Sequence, residues 1–251
     1  MGNVELISFA SADELASRAA RAWLDEIESA NRTSKPHCAA LSGGRITQKL
    51  FASVVEQAKA RKIGNGGTPS LPGNVHFFWA DERCVPPSDP ESNFKMANEL
   101  LFMPLKIPEN QIHRIRGEDS PAAAVTTAEL ELRQIGLPNE KGQPVLDLIF
   151  LGMGEDGHVA SLFPNAPAEV VNHPGSFLFI DNSPKPPPRR ISLSYAAMAA
   201  ARQVWVLISG DGKEKVLRKS LNLSGKTPLA RIIQLRQKTR IFSQIEVEKK
   251  I

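Results

Sequence analysis

Five short, almost uninterrupted apolar runs recur along this 251-residue chain: HCAALS (37–42), VHFFWA (75–80), VLDLIFLG (145–152), SFLFID (176–181) and QVWVLIS (203–209). They are too short for buried helices, and they lack the polar alternation of a strand with one wet face. The segments between them carry helical periodicity. Ser11 and Glu14 form a capping-box pattern ahead of Leu15, Ala19, Trp23 and Ile27, which predicts a helix over 12–30. Helical patterns follow at ITQKLFASVVEQAKARK (46–62), Phe94 to Phe102, 121–135 and 211–221. Buried strands alternating with helices predict an α/β fold, with a mostly parallel sheet covered by helices on both faces. GNGGTPSLPG (64–73) is a loop by composition, and DERCVPPSDPESN (81–93), with three prolines, is expected to be irregular.

The length allows one α/β unit or two closely packed lobes, and the expectation is a single domain over 1–251. A formal charge of +4 is spread along the chain, apart from short groups such as Lys185, Arg189 and Arg190. That distribution suits a small anionic ligand better than a polynucleotide, and the single tyrosine gives little for bases to stack on. The opening residues lack a basic segment followed by an apolar one, and no run is long enough to span a bilayer. The expected setting is therefore the cytoplasm, without membrane or nucleic-acid partners. Cys38 and Cys84 stand far apart, without a C-x-x-C pair or a neighbouring histidine cluster, and are read as small structural thiols.

In a parallel sheet, ligands collect beyond the carboxyl ends of the strands. Four of the runs end in unusual residues: Ser42-Gly43-Gly44, Asp81-Glu82-Arg83, Gly152 to His158, and Gly210 to Lys213. These ends are expected to converge on one site. Gly43 and Gly44 let backbone N–H groups approach an anion at a helix start. Arg83 offers a guanidinium fork and Lys213 a point charge for a phosphate.

The loop GMGEDGH holds the strongest candidates. Gly152, Gly154 and Gly157 permit a tight loop that presents Asp156 and His158 toward one point. An imidazole oriented by a carboxylate suits general-base work near neutral pH. His37, His76, His113 and His173 lack such a glycine frame and are read as structural. Ser161 lacks the G-x-S-x-G elbow of an acyl-enzyme hydrolase. SPKPPPRR (183–190) reads as a stiff, extended connection from which Arg190 reaches a neighbouring pocket.

LSGG at 41, FFWADERCVPPSDPESNFKMA at 77, DLIFLGMGEDGHVASLFP at 147, KPPPRRISL at 185 and GDGKEKVL at 210 together resemble the 6-phosphogluconolactonase branch of the glucosamine-6-phosphate isomerase/deaminase superfamily. The resemblance covers nearly the whole chain. It implies a Rossmann-like, sugar-phosphate isomerase/deaminase-type fold. It also implies hydrolysis of 6-phospho-D-glucono-1,5-lactone to 6-phosphogluconate without metal or organic cofactor, by a monomer or weak homo-oligomer. By position, His158 would be the general base and Asp156 its orienting partner, with backbone N–H groups of the glycine loops as oxyanion donors. Gly43, Gly44, Arg83 and Lys213 would hold the phosphate, with Arg190 in addition. Asp81, Asn93, Gly154 and Gly157 fall in the motifs that shape the sugar site.

Two departures bear on this. Deaminases read DEY and GHIAFNEP at the second and third elements, and Phe163 stands here where their glutamate falls. Family members commonly follow SGG with Ser-Thr-Pro or Thr-Thr-Pro, whereas this chain has Arg45-Ile46-Thr47. Either Arg45 itself contacts the phosphate, or its side chain fills the pocket and the site has become a noncatalytic sugar-phosphate binder.

Overall fold

The computed structural model describes residues 3–32, 35–61, 71, 74–140, 142–222 and 224–246. The elements run β1 (Asn3–Ser8), α1 (Ala12–Asn31), β2 (His37–Leu41), α2 (Arg45–Ala60), β3 (Val75–Trp79) and β4 (Asp81–Arg83). Next, α3 (Asn93–Ala97) continues through a π-helical turn (Asn98–Phe102) into α4 (Met103–Leu105). After these come α5 (Pro121–Ile135), β5 (Leu148–Gly152), α6 (Ala168–Val171), β6 (Phe177–Ile180) and β7 (Arg190–Leu193). The chain closes with α7 (Tyr195–Ala200), β8 (Gln203–Ile208), α8 (Glu214–Leu221), α9 (Pro228–Leu235) and β9 (Lys238–Ser243).

Six strands form a parallel sheet in the order β1-β9-β8-β5-β2-β3. β2 and β3, buried at every position, and β5, buried up to Gly152, leave no face for water, which is why their sequences are continuous apolar runs. An aromatic stripe crosses the sheet. Trp23 of α1 meets Phe150 edge-on at 4.8 Å, Phe150 meets Trp205 at 5.6 Å, and Trp205 meets Phe242 at 5.2 Å. Ser11 caps α1 by accepting from Glu14 N–H, while the Glu14 carboxylate accepts from Ala10 N–H, one residue earlier than the box predicts.

Several expectations need correction. SFLFID is a strand, but β6 belongs to a separate antiparallel sheet of order β4-β7-β6. Asp81–Arg83, expected to be irregular, is the edge strand β4 of that sheet, because Ala80 turns the chain out of β3 and Glu82 then pairs with Ile191. The helical stretch Phe94 to Phe102 is interrupted by the π turn, and the helix expected from 211 starts only at Glu214. The strands β1, β7 and β9 have no counterpart among the five apolar runs. The loop expected at 64–73 lies, apart from residue 71, outside the described residues. Among the described residues no helix is long and apolar enough to cross a membrane.

Candidate active site

The carboxyl ends of β2, β3, β5 and β8 open onto one cavity of about 370 Å³. Gly43, Gly44, Arg45, Asp81, Arg83, Asn93, Gly154, His158, Arg190 and Lys213 all line it, so the four strand ends read from the sequence do converge. His37, His76, His113 and His173 are not among its lining residues.

At the first strand end, Ser42 Oγ donates to Phe150 O at 2.7 Å, tying β2 to β5. Gly44, with φ of +107°, is the N-cap of α2 and brings no side chain to cap it. The first turn of a 16-residue helix is thereby presented to the cavity with its dipole uncovered. Gly43 lies so close to the Asn93 amide that a Cβ there would strike it. Asn93 Nδ2 in turn donates to Asp81 O at 2.9 Å.

At the second end, Asp81 and Glu82 have separate tasks. Asp81 is buried; its carboxylate accepts from Ser161 Oγ at 2.7 Å and stands 4.0 Å from Arg190. Glu82 turns away from the cavity and accepts from the N–H groups of Arg83, Asn93 and Phe94 and from Ser92 Oγ. Burial pushes its carboxyl above the usual range, and these hydrogen bonds oppose that shift. Glu82 therefore anchors the start of α3. The Arg83 guanidinium donates to Glu91 O and lies 3.4 Å from the Glu91 carboxylate.

The third end carries the histidine. Gly154 N–H donates to His158 O and Gly157 N–H to Gly154 O, both at 3.0 Å, which folds the loop onto itself. The Asp156 carboxylate accepts from His158 N–H at 3.2 Å and meets His158 Nδ1 at 2.5 Å. Burial depresses the imidazole, and Asp156 opposes this without overcoming it. Burial raises the Asp156 carboxyl, but the His158 hydrogen bonds outweigh it and hold the group below its usual range. Both directions favour a neutral imidazole beside an ionised carboxylate at neutral pH. Among the described residues Nε2 has no protein partner.

Of the loop residues expected at the ligand, Gly157 sits elsewhere. Asp156 stands behind His158 rather than on the cavity wall. Gly157, at φ +85°, packs against Thr227 and Val216 and accepts from Leu229 N–H, so it tightens the loop from outside. The N–H groups of Gly154 and Gly157 are also spent within the loop, which removes both as oxyanion donors.

Lys213 stands at the N-cap of α8, where burial and then the charge of Arg45 lower its pKa. Arg190 reaches the cavity as expected, yet its guanidinium donates to the carbonyls of Pro187, Lys185 and Pro186 and lies 3.4 Å from Ser161 Oγ. It holds the SPKPPPRR connection in place. Lys49, Ser209 and Gln244 also line the cavity and went unread. Lys49 was findable, being four residues after Arg45 on α2; its ammonium pairs with Asp13 at 2.5 Å. Gln244 follows the unread β9 and accepts from Gly210 N–H.

Among the described residues, no group of three or more His, Cys, Asp or Glu comes together as a metal-ligand set. A parallel α/β sheet ends in a cation-rimmed cavity, with His158 in its wall and Asp156 behind it, the place where such sheets take their ligands. The chain belongs to the family described as glucosamine-6-phosphate isomerases/6-phosphogluconolactonase, whose model matches residues 10–242. It is 36% identical over 193 residues to 6-phosphogluconolactonase of Mycobacterium tuberculosis, covering 69% of this chain and 77% of that protein. Against 6-phosphogluconolactonase of Haemophilus influenzae the identity is 37% over 185 residues, covering 71% and 70%. The crystal structure of 6-phosphogluconolactonase from Thermotoga maritima superposes with a TM-score of 0.76 at 27% identity, covering 96% of this chain and 98% of that one.

Proposed function

We propose that this chain hydrolyses 6-phospho-D-glucono-1,5-lactone to 6-phosphogluconate, the second step of the oxidative pentose phosphate pathway. One observation carries the mechanism: His158 lines the cation-rimmed cavity with Nδ1 held by Asp156 and Nε2 left for substrate. The carboxylate favours the tautomer with its proton on Nδ1, so Nε2 is the basic nitrogen. Nε2 removes a proton from water as the water oxygen bonds to the lactone carbonyl carbon. The tetrahedral adduct then collapses, the bond from that carbon to the ring oxygen breaks, and the imidazolium returns its proton to the leaving oxygen. Asp156 stabilises the imidazolium between the two transfers.

The phosphate is assigned to Arg45, Lys213 and the start of α2 at Gly43-Gly44, with Arg83 and Lys49 also lining the cavity. Lys213 feels the charge of Arg45, an arrangement that a dianion between them relieves. The arginine thus takes over from the hydroxyls common at this place in the family, with a charge-assisted contact replacing neutral ones. Asp81 and Asn93, locked by Ser161 and by each other, shape the sugar end. The protein works as one domain in the cytoplasm, as a monomer or weak homo-oligomer.

The test measures lactone loss above the spontaneous rate beside ammonia release from glucosamine 6-phosphate. The reading expects lactone loss that scales with protein and no ammonia. Ammonia release, or tight binding of 6-phosphogluconate without turnover, contradicts it.

A further inference from the structure

The chain turns back on itself immediately after His158. Leu162 N–H donates to Val159 O at 2.9 Å, Ala160 takes a left-handed φ of +48°, and Ser161 is anchored through Asp81 and Ser192. This turn returns Phe163 over the residue from which it started. The Phe163 and His158 ring centroids are 4.7 Å apart with planes inclined by 34°, and Phe163 is only 7% exposed. The Arg190 guanidinium lies 5.8 Å from the centroid of the same phenyl ring.

The imidazole is therefore confined from three directions. Asp156 holds Nδ1, the Gly154 backbone lies so close that a Cβ would strike the imidazole, and the phenyl ring covers a face. Asp156 and Gly154 can fix where the imidazole sits, but neither can dry it, since one is charged and the other bare backbone. The phenyl ring, packed on the imidazole, is an apolar neighbour able to displace water from it. Charged groups that act on the imidazole are Asp156 on its own loop, Lys185 on the connection to β7 and Asp81 on β4, while Arg190 of β7 lies beside the phenyl ring.

We propose that Phe163 is a positioning residue, whose ring excludes water from one face of the His158 imidazole and aims Nε2 into the cavity. The proposal rests on the lactonase reading for its effect on rate, but not for its effect on the imidazole. A dry imidazole keeps its neutral, proton-accepting form to lower pH than a wet one, and the acid side of the pH–rate profile follows it. The direction agrees with the net depression of the His158 pKa by burial. Fixed aim matters as well, because a misplacement of about 1 Å in a reacting group can cost about a hundredfold in rate.

The test follows the His158 ring by proton NMR titration in the ligand-free protein, assigned against His158→Gln, alongside pH–rate profiles. Wild type, Phe163→Leu and Phe163→Ala are compared. Wild type and Phe163→Leu, which keeps apolar volume, are expected to titrate below the ordinary histidine value of about 6.5. In Phe163→Ala the NMR midpoint and the acid limb should rise together, with kcat reduced about tenfold or more and KM within about twofold. If Phe163→Ala does not fold, Phe163→Val makes the same comparison. An unmoved midpoint in the truncated variant overturns the proposal. So does a loss of rate that is uniform across pH, which marks a merely structural phenylalanine. Absence of lactonase activity in wild type sinks the functional reading alone, and the titration still decides what Phe163 does.

Discussion

Among the described residues, histidines stand within 4 Å of a carboxylate at His113 and at His158, and of these two His158 lines the cavity at the strand ends. At the edge of the parallel sheet, His76 of β3 meets Asn74 Oδ1 through Nε2 at 2.7 Å and His113 Nε2 through Nδ1 at 2.8 Å. His113 Nδ1 lies 3.3 Å from Glu131 of α5, and its ring stacks on Phe78. Every ring nitrogen in that chain is engaged. In the loop after β5, His158 spends Nδ1 on Asp156 and keeps Nε2 beside empty volume. The contrast teaches that a histidine next to an acid is not by itself a site. A base needs one nitrogen fixed, one nitrogen free and room for a substrate next to the free one.

Substitutions can break this comparison at either end. Short of removing His158 itself, the largest effect is expected from Gly154→Ala, whose new methyl group would strike the His158 ring and the Asp156 carboxylate. Steady-state kinetics should show kcat reduced about a hundredfold with the fold retained; a loss under about threefold would mean that the loop gives way and that the tight frame is not required. Arg45→Ala should act on binding alone. Loss of one charge-assisted phosphate contact, on the order of 1.5 kcal/mol, raises KM about tenfold and leaves kcat near wild type. An unchanged KM would return the phosphate to the backbone and Lys213. The smallest effect on catalysis is expected at the other cluster, where His113→Gln should leave kcat/KM within about twofold. Its cost is thermal: one lost part-buried hydrogen bond, about 1 kcal/mol, lowers Tm by about 2–4 °C for a chain of this size. A rate loss comparable to that of Gly154→Ala would erase the distinction between the two clusters.

The sequence made the cavity legible because a parallel sheet places its ligand where the buried runs end, and those runs end in glycines and charges. It hid the frame of the sheet more than its centre. β1 (NVELIS) is half-exposed along most of its length and β9 (KTRIFS) mixes charged and apolar residues, so neither has the continuous apolar signature of β2, β3 or β5. The antiparallel sheet was obscured by its prolines, which lie beside β4 and β7 rather than in them. Side-chain partners across the fold were out of reach as well. Nothing local says that Ser161 fastens Asp81, 80 residues away, or that Arg190 spends its guanidinium on the carbonyls of its own connection. The clearest limit is Phe163, recognisable in the sequence only as the residue standing where deaminases carry an acid, and found in the fold to cover the imidazole.

The most direct test of the account generates 6-phosphogluconolactone in situ and follows its disappearance against protein concentration, for wild type and His158→Ala side by side. Wild type should accelerate the reaction in proportion to its concentration, and the variant should lose about 10²- to 10⁴-fold, the usual contribution of a positioned general base. Equal rates from the two proteins, or no acceleration by wild type above the spontaneous background, would contradict it.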